Sequence, residues 1–146
     1  MTDYRSLAIE ALVTCQTIEF SLKVYIGQHY KITQILLRAY SLPHRFDARD
    51  VESSSLERLV NVFCKVNNND AFQSSLRRFV ASRNHIAHQA LLHDSPASGM
   101  LQTDMEIEKD KVSGILHEGT QVAIGLAAEI RMLTKLANSA AVKLAV

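Results

Sequence analysis

Tryptophan is absent from this chain, and cysteine, proline and glycine are scarce: two, two and five in 146 residues. Two cysteines make no disulfide framework. Cys15 and Cys64 both sit in apolar helical context and read as small hydrophobes in a reducing compartment. With so few breakers, long segments run uninterrupted by proline or glycine. No run of about 18 apolar residues is present, so no membrane span is expected. The N-terminal residues lack a charged region followed by a long apolar run, which argues against a signal peptide and for a cytoplasmic protein. No charge sign dominates either. A net charge of +1 provides no global electrostatic funnel for nucleic acid. Glycine-rich phosphate loops, internal repeats and a recognisable spacing for a serine or cysteine nucleophile are all missing.

What is present is an ordinary globular composition, 47% apolar and 21% charged, in a length that suits one domain over residues 1–146 with one core. Asp3 through about Tyr30 reads as a long helix, with Thr2 or Asp3 as its N-cap. Leu7, Ala11, Cys15, Ile18, Leu22 and Tyr25 form its main stripe. Val13, Phe20 and Val24 form a second, narrower one, as if a second subunit covered the far side. Gly27 either loosens this helix or lets it run on through Ile32–Tyr40, and Pro43 ends it. After a connector over Leu42–Asp50, Ser53–Ser55 offer caps for a helix over Leu56–Val66, with Leu56, Leu59, Val60, Phe63 and Val66 on one face. The Asn67–Asp70 run is a polar turn that makes the next helix an antiparallel neighbour. That helix spans about Asp70–Leu92. His93–Gly99 is a loop, Met100–Glu108 partly alternates like a short extended piece, and about Lys109–Leu136 is helical again. Its apolar positions are Val112, Ile115, Leu116, Val122, Ile130, Leu133 and Leu136, and Gly119, Ala123, Gly125 and Ala127 would let another helix approach closely. The expected fold is all-α, an up-and-down bundle of four to five helices.

The informative stretch is Phe79-Val80-Ala81-Ser82-Arg83-Asn84-His85-Ile86-Ala87-His88-Gln89. At about 100° per residue, Leu76, Val80, Ala87 and Leu91 flank Arg83 on one side, and Phe79, Ile86 and Ala90 on the other. A guanidinium thus lies at the centre of an apolar arc. An unpaired buried charge costs several kcal/mol, roughly 3–5, so Arg83 has to snorkel to the rim, meet a carboxylate or line a cleft. Asn84 and His88 are i, i+4 neighbours at the border of the arc. Arg78, Ser82, His85 and Gln89 occupy the opposite face, expected to be solvated. Between Asp70 and Asp94, Arg77, Arg78 and Arg83 form a local basic patch with no acid. Glu19, beside the main stripe of the first helix, is the best-placed acid there to meet Arg83; the alternative is a border carboxylate in water. The six histidines do not read as a metal site. His85 and His88 point only about 60° apart, but His85 belongs to the face expected to be solvated, and no cysteine or acid pattern joins them to make the three or four convergent ligands zinc needs.

Arg83 followed by Asn84, with His88 four intervening residues on and Ala87 before it, resembles the motif of the HEPN superfamily, small all-α domains that include metal-independent ribonucleases of toxin–antitoxin and defence systems. The run Gln16–Ile26 is loosely similar to the first helix of such proteins. The resemblance implies a homodimer in which two motif helices meet across a two-fold axis, so that the apolar arc is dimer surface and the polar residues line its cleft. It implies RNA as substrate, an antitoxin or nucleotidyltransferase as partner in toxin members, and no cofactor. By resemblance, Arg83 binds phosphate, His88 transfers protons and Asn84 positions one or the other, with Glu19 orienting Arg83 and Arg77, Arg78 and His85 contacting RNA. The tyrosine that many toxin members carry two residues after the motif histidine, where partner enzymes modify it, is Ala90 here. Two other readings stand beside this one: a non-catalytic HEPN module binding RNA or a protein, and a helical interaction domain without nucleic acid.

Overall fold

The computed structural model describes residues 3–90, 99 and 101–145. Every regular element among them is helical: α1 (Tyr4–Arg38), a 3-10 turn (Ala48–Val51), α2 (Leu56–Val66), α3 (Asp70–His85), a π-helical turn (Ile86–Ala90) and α4 (Gln102–Ala145). None of the described helices is long and apolar enough to cross a membrane.

The helix boundaries follow from local chemistry. Asp3 caps α1, its carboxylate accepting from the Ser6 amide at 3.0 Å and the Ser6 hydroxyl at 3.1 Å. These bonds hold its carboxyl below the usual aspartate value. Gly27 does not interrupt α1. Its missing side chain instead admits the Ala48 Cβ to within 3.1 Å of where a Cβ would stand. The helix ends before Pro43 is reached. Ser41 turns left-handed at φ 57°, and the Leu42 amide reaches the Leu37 carbonyl while the Ser41 amide reaches that of Arg38, at 2.9 and 3.0 Å. This is a Schellman stop. The 3-10 turn carries a capping box between Asp47 and Asp50. Ser55 caps α2 by accepting from the Arg58 amide at 3.3 Å, and α2 covers the expected residues.

Two expectations are corrected. Of the piece expected to be extended over Met100–Glu108, Gln102–Glu108 is helical, because α4 begins at Gln102. The apolar residues that imitate a strand, Leu101 and Ile107, are 69% and 65% exposed, so no buried sheet face calls for them. The motif helix also does not stay α-helical to Leu92. It changes to π winding after His85. The expected loop over His93–Gly99 lies outside the described residues apart from Gly99.

Packing divides the chain into two compact units, residues 1–18 with 70–124 and residues 19–69 with 125–146. In the first, Leu7, Ala11, Cys15 and Ile18 of α1 are buried, as are Leu76 and Phe79 of α3, Ile86 of the π turn, and Val112, Ile115 and Val122 of α4. The three helices meet tightly at Gly119, where an added Cβ would lie 3.0 Å from both the Phe79 ring and the Thr14 methyl. In the second unit the core is Leu22, Tyr25 and Ile26 of α1, Val51, Leu56, Leu59, Val60 and Phe63 from the 3-10 turn and α2, and Leu126 and Leu133 of α4. The Tyr25 and Phe63 rings stand 4.7 Å apart in a tilted pair. Both cysteines are free thiols, Cys15 buried and Cys64 half-buried.

Along α4 the buried positions are 108, 112, 115, 119, 122, 126, 129 and 133. Steps alternating between four and three keep one narrow seam facing inward. Two of these seam positions are acids, Glu108 and Glu129. The second stripe expected on α1 is on the outside: Val13 and Phe20 are exposed and Val24 is half-buried.

Candidate functional site

The motif residues sit at the junction of α3 and the π turn. Leu76, Phe79 and Ile86 are buried in the first unit, which fixes the helix face that points inward. Arg83, at the centre of that arc, is half-buried. Asn84, Ala87 and His88 are exposed, as are Arg77 and Arg78. Hydrogen bonds in π winding run from i to i+5 instead of i+4, and such turns recur at functional sites. The wider winding brings Asn84 and His88 closer to lying one above the other than an ideal α-helix would. One imidazole and one carboxamide are thereby offered to solvent from a single ridge, with a guanidinium one residue before them. Glu19 is half-buried on α1 and belongs to the second unit, whereas Arg83 belongs to the first.

His85 corrects the sequence reading. It is not on a solvated face: its side chain is only 10% exposed, and its Nε2 lies 2.5 Å from Glu108 Oε1, itself 9% exposed. Tyr4 donates its hydroxyl to the same carboxylate oxygen at 3.5 Å. The cause is the early start of α4, which brings Glu108 into the buried seam and carries its carboxylate to α3. The neighbouring Ser82 behaves alike, donating to Glu118 Oε2 at 3.2 Å. The polar face of α3 therefore meets α4 through carboxylates. Arg78, on the same face, is exposed, its guanidinium donating to Ser75 Oγ at 3.2 Å.

The Tyr4–Glu108–His85 cluster is not among the sites expected from the sequence. The signal was available: Glu108 stands four before Val112 and seven before Ile115, in register with the apolar seam. The second unit holds a parallel arrangement, also unanticipated. Glu129 accepts from the Asn67 amide at 3.0 Å and the Asn69 amide at 2.6 Å. Asn67 also donates to the Tyr25 hydroxyl at 3.1 Å. Burial, with the Glu129 charge nearby, pushes the Tyr25 phenol above its usual value against the lowering effect of Asn67. Elsewhere in this unit, burial and then the neighbouring His44 hold His29 below the ordinary histidine value, and both rings have a buried Nδ1 without a hydrogen-bond partner.

Among the described residues, no group of three or more histidine, cysteine, aspartate or glutamate side chains converges as a metal site. The motif offers a guanidinium, a carboxamide and an imidazole: anion binding, hydrogen bonding and proton transfer. Compared with family models, curated proteins and solved structures, the chain matches none.

Proposed function

We propose that this chain is a HEPN-like endoribonuclease that cleaves RNA without a metal, acting as a two-fold homodimer of helical bundles that meet through their α3 segments. The observation that carries the reading is the split within one short segment: His85 and Ile86 are tied into the first unit while Asn84 and His88 are exposed beside them. A segment anchored on one side and polar on the other can present a fixed constellation to a substrate.

RNA brings its own nucleophile, the ribose 2′-hydroxyl. In the proposed reaction the His88 imidazole of one protomer takes the 2′-hydroxyl proton as the 2′-oxygen bonds to phosphorus. The bond from phosphorus to the 5′-oxygen breaks, and His88 of the other protomer, protonated, gives that oxygen its proton. Arg83 binds the phosphate and stabilises the charge gathering on its non-bridging oxygens, and Asn84 positions the phosphate or His88. The products are a 2′,3′-cyclic phosphate and a 5′-hydroxyl. Arg77 and Arg78, both exposed, would contact RNA further along the strand. His85 has another role in this proposal: paired with Glu108, it positions the segment and does not touch RNA.

The test is cleavage of single-stranded RNA by nuclease-free wild type beside His88→Ala and Arg83→Ala, with end-group analysis. Each variant is expected to abolish cleavage, and EDTA to leave it intact. Wild type that cuts no RNA under varied conditions would sink the enzyme and favour the second reading, a non-catalytic module that binds RNA or a protein. The exposure of His88 is compatible with that reading as well.

A further inference from the structure

In the second unit a groove of about 630 Å³ runs between α1 and the 3-10 turn, within the size range of small-ligand sites, roughly 300–1,000 Å³. Its floor is narrow because Gly27 lets Ala48 come close. One wall is a face of α1 that carries Phe20, Lys23 and Lys31, and the other carries Arg49 and Glu52. Phe20 is 68% exposed, a full aromatic ring left in water. Lys23 and Lys31 stand eight residues apart, about 12 Å along the helix. The Arg49 side chain is 85% exposed and pairs with Asp47 at 3.3 Å, a surface pair that water and salt weaken. Three cations thus face the groove against one lining acid, Glu52.

An exposed ring flanked by cations at intervals is how proteins hold unpaired nucleotides: the base stacks on the ring and the phosphates run along the cations. A second copy of this chain suits the groove poorly. A two-fold contact sets a patch against itself, and here it would oppose three cations to three cations while drawing them out of water. We propose that this groove binds an unpaired stretch of RNA, one base stacked on Phe20 and its backbone phosphates held by Lys23 and Lys31 from one wall and Arg49 from the other. The inference rests on the reading of the chain as an RNA-cleaving protein and assigns where on its surface the strand is held.

The experiment measures equilibrium binding of a fluorescent ten-nucleotide single-stranded RNA to full-length His88→Ala protein, which leaves the probe uncut, across a salt series. The same protein carrying Phe20→Ala, or Lys23→Glu with Lys31→Glu, is measured alongside. These side chains lie on the surface, and circular dichroism checks that the variants keep their helices. Phe20→Ala is expected to weaken binding about tenfold. The double charge variant should weaken it at least as much and flatten the salt dependence by about 1.4 in log–log slope, two phosphate contacts' worth. A blunt RNA duplex of the same length should bind more weakly than the single strand and show no Phe20 effect. If the parent binds RNA and neither variant changes its affinity, the groove is not the RNA site and the inference is overturned while the nuclease reading stands. If the parent binds no RNA at all, that reading falls and takes the inference with it. If Phe20→Ala leaves RNA affinity intact but breaks a dimer seen by sedimentation, the occupant is a second copy and the inference is likewise overturned.

Discussion

Two glutamates stand three heptads apart on the buried seam of α4, and the two units treat them differently. In the second unit Glu129 receives amide hydrogens from Asn67 and Asn69. In the first, Glu108 receives an imidazole and a phenol from His85 and Tyr4. Amide donors carry no proton to give up in the accessible pH range, so Glu129 is held by a fixed clasp that ties the polar turn after α2 to α4. The clasp on Glu108 instead closes on the residue between Asn84 and Ile86. The same buried acid serves as plain carpentry in one place and as a mount for the proposed reactive segment in the other.

The comparison breaks most sharply if the glutamates are removed. Glu129→Ala removes the charged acceptor shared by half-buried Asn67 and exposed Asn69 and is expected to cost about 3 kcal/mol, and Glu108→Ala, which removes the one shared by His85 and Tyr4, about 2 kcal/mol. Urea denaturation measures both. Equal and negligible losses would mean that neither clasp contributes to stability. A cycle of Glu108→Ala with His85→Ala should show a coupling of about 1 kcal/mol. Strict additivity would mean that the 2.5 Å contact carries no energy.

Glycine offers a second way to set the units against each other. Gly119→Ala drives a methyl onto Phe79 and Thr14 at 3.0 Å on two sides, in the packed centre of the first unit. We expect a net loss of about 1–2 kcal/mol even after the gain in helix propensity. Gly27→Ala meets only Ala48, at 3.1 Å, on a short exposed turn that can give way, and should be neutral within about 0.5 kcal/mol. The order of the two melting temperatures tests this, and a reversed order would refute the account of where the tight helix contact lies.

The smallest expected effect is the pH response of His29. Its folded value lies below the usual 6.5 because it is buried. As pH falls through about 6.5 the unfolded chain takes up a proton that the folded chain refuses, so stability declines until the folded value is passed and then levels off. His29→Phe should make stability fall less steeply between pH 7 and 5 than in wild type. Parallel curves would show that this ring contributes nothing to acid sensitivity.

Much of this was legible in the chain, for reasons that differ by element. On α1, the residues from Leu7 to Tyr25 expected at the core are all buried, because a long apolar stripe has only one way to hide. α2 was legible to its ends because Ser55 and Asn67 bracket it. Gly119 was legible as a close approach, a function glycine fills with no side chain of its own. The start of α4 was hidden by Leu101 and Ile107, exposed apolar residues that imitate a strand. The stop of α1 was hidden because Ser41, not a glycine, adopts the left-handed turn. At the candidate site the residue types of Arg83, Asn84 and His88 could be read off directly. The pairing of His85 was harder to read, since it depends on Glu108, twenty-three residues away, and on α4 starting as early as Gln102.

The change of winding after His85 sets a constraint on chain length as well as on residue type. A π turn holds one residue more than the α turn it replaces. Deleting Ala87, the one residue between Ile86 and His88, would let the backbone relax to ordinary winding, keep the register beyond the turn and set His88 three residues after Asn84 instead of four. Ile86 and His85 would stay moored while His88 rotated off its ridge. Such a variant would keep Arg83, Asn84 and His88 and still lose the function proposed for the segment.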